Sequence, residues 1–217
     1  MINPQYIEHI NTILDVFVFI GICASAISGS LRAIDSKMDI TGAILLAFVV
    51  ANAGGTFRDI FLNVPIFWIA NHLYIWLSIG IGSITFMLCY YKPKLLGHRK
   101  LQQMLIFTDA IGLGIFCVVG VEKATLLGQN SSIAIIMGIW TAVGGGVIAD
   151  IIANRIPLVF SSELYITVCL AGAISYMGLS QLLPQVIAAF SAVIFMVLLR
   201  ILSVKYHWRL PIVQKNQ

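Results

Sequence analysis

The chain has 217 residues, of which 59% are hydrophobic and 10% charged, with a formal net charge of +4. Soluble domains carry about 25% charged residues, so this balance excludes a water-soluble globule and indicates an integral membrane protein. The small net charge, without a basic cluster, excludes nucleic acid as an expected partner.

The N-terminal Asn3-Pro4-Gln5 is polar and lacks the basic flank of a cleavable signal. A spanning helix needs about 20 mostly apolar residues. Seven such stretches are predicted, at about 10–29, 40–62, 67–90, 102–120, 131–153, 162–180 and 184–203. The expected fold is an all-α integral membrane protein forming one transmembrane domain over 1–217, with no linker or soluble module. Cys23, Cys89, Cys117 and Cys169 fall inside apolar stretches and show no CxxC spacing. They read as small buried residues rather than a disulfide or metal framework.

Lys and Arg gather on the cytoplasmic side of membrane proteins. With seven spans, one side receives Arg32, Lys37, Lys92, Lys94, Arg99, Lys100, Arg155, Arg200, Lys205, Arg209 and Lys215, and the other Lys123 and the intramembrane Arg58. That distribution of 11 against 2 predicts the N-terminus outside and the C-terminus in the cytoplasm.

The second and fifth spans carry related stretches. Ala51-Asn52-Ala53-Gly54-Gly55-Thr56-Phe57-Arg58-Asp59 is closed by Asn63 and Pro65, and Val143-Gly144-Gly145-Gly146-Val147-Ile148-Ala149-Asp150 by Asn154 and Pro157. They belong to a repeat offset by 91 residues, which also aligns Gly29 with Gly120 and Tyr74 with Tyr165, with a one-residue slip near the prolines. Repeat one spans about 10–90, repeat two about 102–180, and a seventh helix follows at about 184–203. Three spans per copy make the second copy enter the membrane inverted, an arrangement that places functional sites near the midplane.

Glycine pairs are a recognised cause of helix kinks, so the second and fifth helices are expected to be kinked or broken. A break at Gly54-Gly55 or Gly144-Gly145-Gly146 would free carbonyls for a cation, with the Thr56 hydroxyl beside them. The same glycines equally suit close helix packing. Asp59 and Asp150 read either as ordinary charges at helix ends or as vestibule carboxylates that concentrate cations. Arg58 has no counterpart in the second copy, where Ala149 stands. Neighbours in sequence do not share a helix face, so its expected partner is Asp109 or Asp150 rather than Asp59. Asp15 and Asp109 occupy nearly matched intramembrane positions, and such carboxylates are functional candidates. Glu122-Lys123 is read as an interfacial pair or a gating element. Glu163 and His72 begin matched helices, and the tryptophans read as interfacial anchors. No catalytic, metal-ligating or phosphate-binding pattern is found, so neither enzyme activity nor a cofactor is expected.

The duplicated Gly54-Gly55-Thr56-Phe57-Arg58-Asp59 and Gly144-Gly145-Gly146-Val147-Ile148-Ala149-Asp150 motifs, each followed by proline, resemble the signatures of the prokaryotic trimeric intracellular cation channel (TRIC) family. The resemblance covers both repeats and the seventh helix. It implies a homotrimer in the plasma membrane, in contact with lipid, with an hourglass pore for potassium and sodium in each subunit. Ala149 departs from the arginine that many bacterial relatives carry in both motifs. Val121-Glu122-Lys123 only loosely echoes the Lys-Glu-Val element of animal relatives. The same repeat also resembles a small glycine transporter, which makes a secondary transporter for a small zwitterion the alternative.

Overall fold

The computed structural model describes residues 4–92, 97–161 and 164–210. These residues form helices joined by short turns: α1 (Pro4–Asp35), α2 (Ile40–Phe61), α3 (Phe67–Ala70), α4 (Leu73–Tyr91), α5 (His98–Leu126), α6 (Ser131–Ile152), α7 (Leu158–Ser161), α8 (Ile166–Leu179) and α9 (Gln185–Lys205). Six helices are long and apolar enough to cross a membrane, and α8 is a shorter apolar helix. The seven expected spans are therefore present, and α3 and α7 are additional single turns.

The 91-residue offset holds from α2 through the single turn α3, while Pro65 and Pro157 themselves stand one residue out of that register. Ile40–Phe61 becomes Ser131–Ile152, and Phe67–Ala70 becomes Leu158–Ser161. The caps match too. Asp39 accepts from Gly42 N–H at 2.9 Å and Asn130 from Ile133 N–H at 3.0 Å, each satisfying an amide that the helix leaves orphaned. At the other end Asn63 and Asn154 sit at φ 53° and 54°, the left-handed conformation that asparagine tolerates well. The amides of Val64 and Arg155 reach back to the carbonyls of Asp59 and Asp150, closing both helices with a Schellman turn.

Several helix boundaries differ from expectation, three of them for an identifiable reason. The first helix continues to Asp35 rather than ending near 29, and the fourth continues to Leu126 rather than 120. The third predicted stretch divides at Asn71-His72 into α3 and α4. Hydropathy loses the first two ends because it counts a charged residue as an exit from the membrane. Here Arg32, Glu122 and Lys123 remain in the helix because partners within the protein satisfy them.

The helix hydrogen-bonding pattern continues through the glycines of α2 and α6. Neither helix is broken there, and the glycines bring α2 and α6 into close contact. A Cβ on Gly54 would collide with the Thr141 carbonyl oxygen, one on Gly145 with that of Val50, and one on Gly144 would come 3.2 Å from Gly54 Cα. Because residue 54 faces 141 and 50 faces 145, the two helices cross antiparallel, backbone against backbone. Gly29 against Leu46 and Ala47, and Gly120 against Met137 and Gly138, bring α1 onto α2 and α5 onto α6 in the same manner.

Candidate functional site

The antiparallel crossing sets Asp59 and Asp150 at opposite ends of the α2–α6 pair. Asp150 lies level with Leu45 of α2, so the two carboxylates are about 14 residues, or about 21 Å, apart along the helix. Both are in the last turn, where the negative helix end repels a carboxylate, and both are buried at 0% and 3% exposure. Each therefore needs donors, and the Schellman turn supplies the first. It turns the chain so that Phe67 N–H donates to Asp59 Oδ2 at 2.9 Å and Leu158 N–H to Asp150 Oδ2 at 3.0 Å.

The remaining oxygens take cations, and the cations are exchanged between repeats. Arg32, on the first helix of repeat one, donates to Asp150 Oδ1 at 2.5 Å. Lys123, at the matched place on the first helix of repeat two, donates to Asp59 Oδ1 at 2.8 Å. The matched cations thus each cross to the carboxylate of the other repeat.

The two ends are not equivalent. Arg32 is 1% exposed and also donates to Asp109 Oδ1 at 2.7 Å. Asp109 in turn accepts from the Tyr165 hydroxyl at 2.9 Å, and the Arg200 guanidinium of α9 lies 4.7 Å from the centre of the Tyr165 ring. The space beside Arg32, Gly146, Asp150 and Tyr165 is too tight for a water molecule. Outside it, Arg155 pairs with Asp35 at 2.8 Å, and Gln102 donates to the same carboxylate. At the opposite end Asp59 is shared by Lys123 and Arg58, each at 2.8 Å, and the Lys123 side chain is 28% exposed.

The Arg58 pairing corrects an expectation. Its partner is the adjacent Asp59, while Asp109 and Asp150 belong to the far end of the crossing. Adjacent residues do diverge along a helix, but the long arginine stem bends back so that Nε reaches Asp59 Oδ1, while the guanidinium lies 5.7 Å from the Phe67 ring centre. Thr56 is also engaged rather than free, donating to the Asn52 carbonyl and accepting from Trp68 Nε1, both at 2.8 Å. Glu122 and Lys123 do not pair with each other. Glu122 accepts from the Tyr176 hydroxyl at 2.5 Å and from Gln185 Nε2. Asp15 accepts from Tyr74 at 3.4 Å, so each matched tyrosine meets an intramembrane aspartate, three residues or about one helical turn out of register. His72 makes no side-chain cap bond to α4, and Glu163 lies outside the described residues.

Sequence reasoning missed Arg32, which it assigned to a loop. The 91-residue offset contained the signal, because it aligns Arg32 with Lys123. Asn52 was missed as a buried polar group. It donates to the Phe48 carbonyl and to Ser78 Oγ at 3.0 and 3.2 Å, where the second repeat has Val143 and Cys169. Among the described residues no group of three or more His, Cys, Asp or Glu is placed to hold a metal ion.

Known proteins show the same duplicated architecture. The sequence model of the glycine transporter family matches residues 15–90 and again 106–181, two copies at the offset seen in the helices. A UPF0126 membrane protein of Vibrio cholerae is 39% identical over 92% of this chain and 81% of its own length. The UPF0126 inner membrane protein YadS of Escherichia coli is 34% identical over 88% of this chain and 92% of its own. The crystal structure of the TRIC trimeric intracellular cation channel orthologue from Rhodobacter sphaeroides superposes with a TM-score of 0.83 at 31% identity, covering 90% of this chain and 99% of that one. These similarities are to membrane proteins and channels, and the chain is a multi-pass membrane protein and not an enzyme. The duplicated match and the shared architecture together make it a member of the prokaryotic trimeric intracellular cation channel family.

Proposed function

We propose that this protein is a monovalent cation channel for potassium and sodium, assembled as a homotrimer with one hourglass pore in each subunit. The path follows the α2–α6 crossing from the Asp59 cluster to the Asp150 cluster, with Gly54, Gly55, Thr56, Gly144, Gly145 and Gly146 along its middle and Asp109 beside its inner end. The observation that carries this reading is the exchanged pair of buried carboxylates, each closed by a cation from the other repeat. Burying an ion costs several kcal/mol unless it is paired, and an intramembrane charge marks an ion pathway by default. Here the charges stand at both ends of one helix pair rather than scattered through the fold.

The arrangement corresponds to a closed channel. The ammonium of Lys123 and the guanidiniums of Arg58 and Arg32 occupy the positions on Asp59 and Asp150 where a permeating cation would be held. Opening requires α2 and α6 to separate and these side chains to swing away. The carboxylates then present a negative field to each mouth, which concentrates cations there. The carbonyls beside the glycines join the path only if that movement loosens their helical bonds.

Single-channel recording of the purified protein in planar bilayers tests this reading. Discrete currents carried by potassium and sodium are expected, with chloride nearly impermeant. Saturable glycine counterflow without unitary currents would replace the channel with the transporter alternative.

A further inference from the structure

A groove of about 340 Å³ runs between α5 and α9, lined by Gln103, Ile106, Phe107, Ile201, Val204 and Lys205. The two helices pack antiparallel, since Gly114 lies against Val193 and Met196 while residues 103–107 face 201–205. The start of α5 and the end of α9 therefore meet at one edge of the membrane. The groove is apolar along its body and polar only at that edge, where Gln103 and Lys205 stand. Arg99 and Lys100 precede Gln103 by four and three residues, so they project from the same face of α5, and both are exposed. Beyond Lys205, Trp208 stacks on Tyr206 at 6.1 Å, as aromatic residues do at a membrane interface.

We propose that this groove is a binding site for an anionic phospholipid. One acyl chain lies against Ile106, Phe107, Ile201 and Val204, and the phosphate meets Lys205, Arg99 and Lys100. Charge complementarity selects this occupant. Every lipid offers an apolar tail, but only an anionic one gains from three cations at the groove mouth, and each Lys or Arg near an anionic headgroup contributes about a fivefold preference.

Native mass spectrometry of the detergent-solubilised protein with equal amounts of phosphatidylglycerol and phosphatidylcholine tests the site without reference to conduction. Wild-type protein should retain phosphatidylglycerol at least tenfold more than phosphatidylcholine. The combined variant Arg99→Gln, Lys100→Gln and Lys205→Gln should lose that preference. Val204→Trp, which fills the groove and leaves the charges in place, should lose the bound lipid. Equal retention of the two lipids by wild type would overturn the proposal, as would an undiminished preference in the triple variant. Displacement by glycerol phosphate as effective as by phosphatidylglycerol would reduce the site to an anion patch. Crosslinking of Gln103→Cys between copies at this face would give the groove to a second subunit instead.

Discussion

Lys123 Nζ stands 2.8 Å from Asp59 Oδ1, and 91 residues earlier in the chain Arg32 Nη1 stands 2.5 Å from Asp150 Oδ1. Each cation rises from the last turn of the first helix of its own repeat and reaches the carboxylate of the other repeat. The two closures share one geometry and differ in depth. Arg32 bridges two carboxylates and is buried, whereas Lys123 shares its carboxylate with Arg58 and is partly exposed. The Asp59 end is thus the looser of the two, and the channel reading places the first opening movement there.

Lys123→Ala tests that order. Asp59 keeps Arg58 and the Phe67 amide, so it is not left bare. A partly exposed ion pair contributes about 1 kcal/mol or less, and the variant should fold with a small loss of thermal stability. Open probability at fixed voltage should rise several-fold, because one of the two cations closing Asp59 is gone. An open probability indistinguishable from wild type would remove Lys123 from the gate.

Arg32→Met has a different consequence. It leaves Asp109 and Asp150 buried side by side without their shared cation. Removing one partner of a buried pair costs about 3–5 kcal/mol, so the detergent-solubilised protein should unfold at a markedly lower temperature. The triple variant Arg32→Met, Asp109→Asn and Asp150→Asn removes the stranded charges and should recover much of the loss. If the single variant is as stable as wild type, the Arg32 bridge is not what holds α1, α5 and α6 together.

The repeat, the seven spans and the two key carboxylates were legible because each leaves a local mark: a hydropathy run, a glycine cluster, an acid where lipid forbids one. The partners of those acids were not. Arg32 looks like a loop cation when only its neighbours are read, since nothing near it in sequence shows that Asp109 and Asp150 will arrive from 77 and 118 residues away. The role of the glycines was ambiguous for a similar reason. A gap in side chains admits either an ion or another backbone, and only the position of Thr141 and Val50 decides between them.

Accessibility sharpens the expected orientation. Arg32, Arg58 and Arg200 are buried, so they should not enter a count of loop charges. Lys37, Lys92, Arg99, Lys100, Arg155, Lys205 and Arg209 still fall on one side and Lys123 on the other. The positive-inside rule then predicts a cytoplasmic Lys92. In intact cells a membrane-impermeant maleimide should label Ser132→Cys, at the exposed start of α6, and spare Lys92→Cys until the cells are opened. The reverse pattern would invert the topology.

The glycines of the crossing give a direct contrast within one protein. A Cβ on Gly145 would meet the backbone carbonyl of Val50, and backbone cannot rotate aside as a side chain can. Even Gly145→Ala therefore has to push α2 away from α6. Overpacking of this kind costs about 1–3 kcal/mol, and Gly145→Leu should leave little folded protein rather than a folded channel with a plugged pore. Gly80 is also inside a helix but has nothing within 4 Å of its Cβ position. Gly80→Ala should be neutral or stabilising by up to about 1 kcal/mol, the gain in helix propensity. Thermal unfolding of the two alanine variants should separate them clearly. Equal melting temperatures would mean that α2 and α6 do not meet as closely as the Gly145–Val50 contact requires.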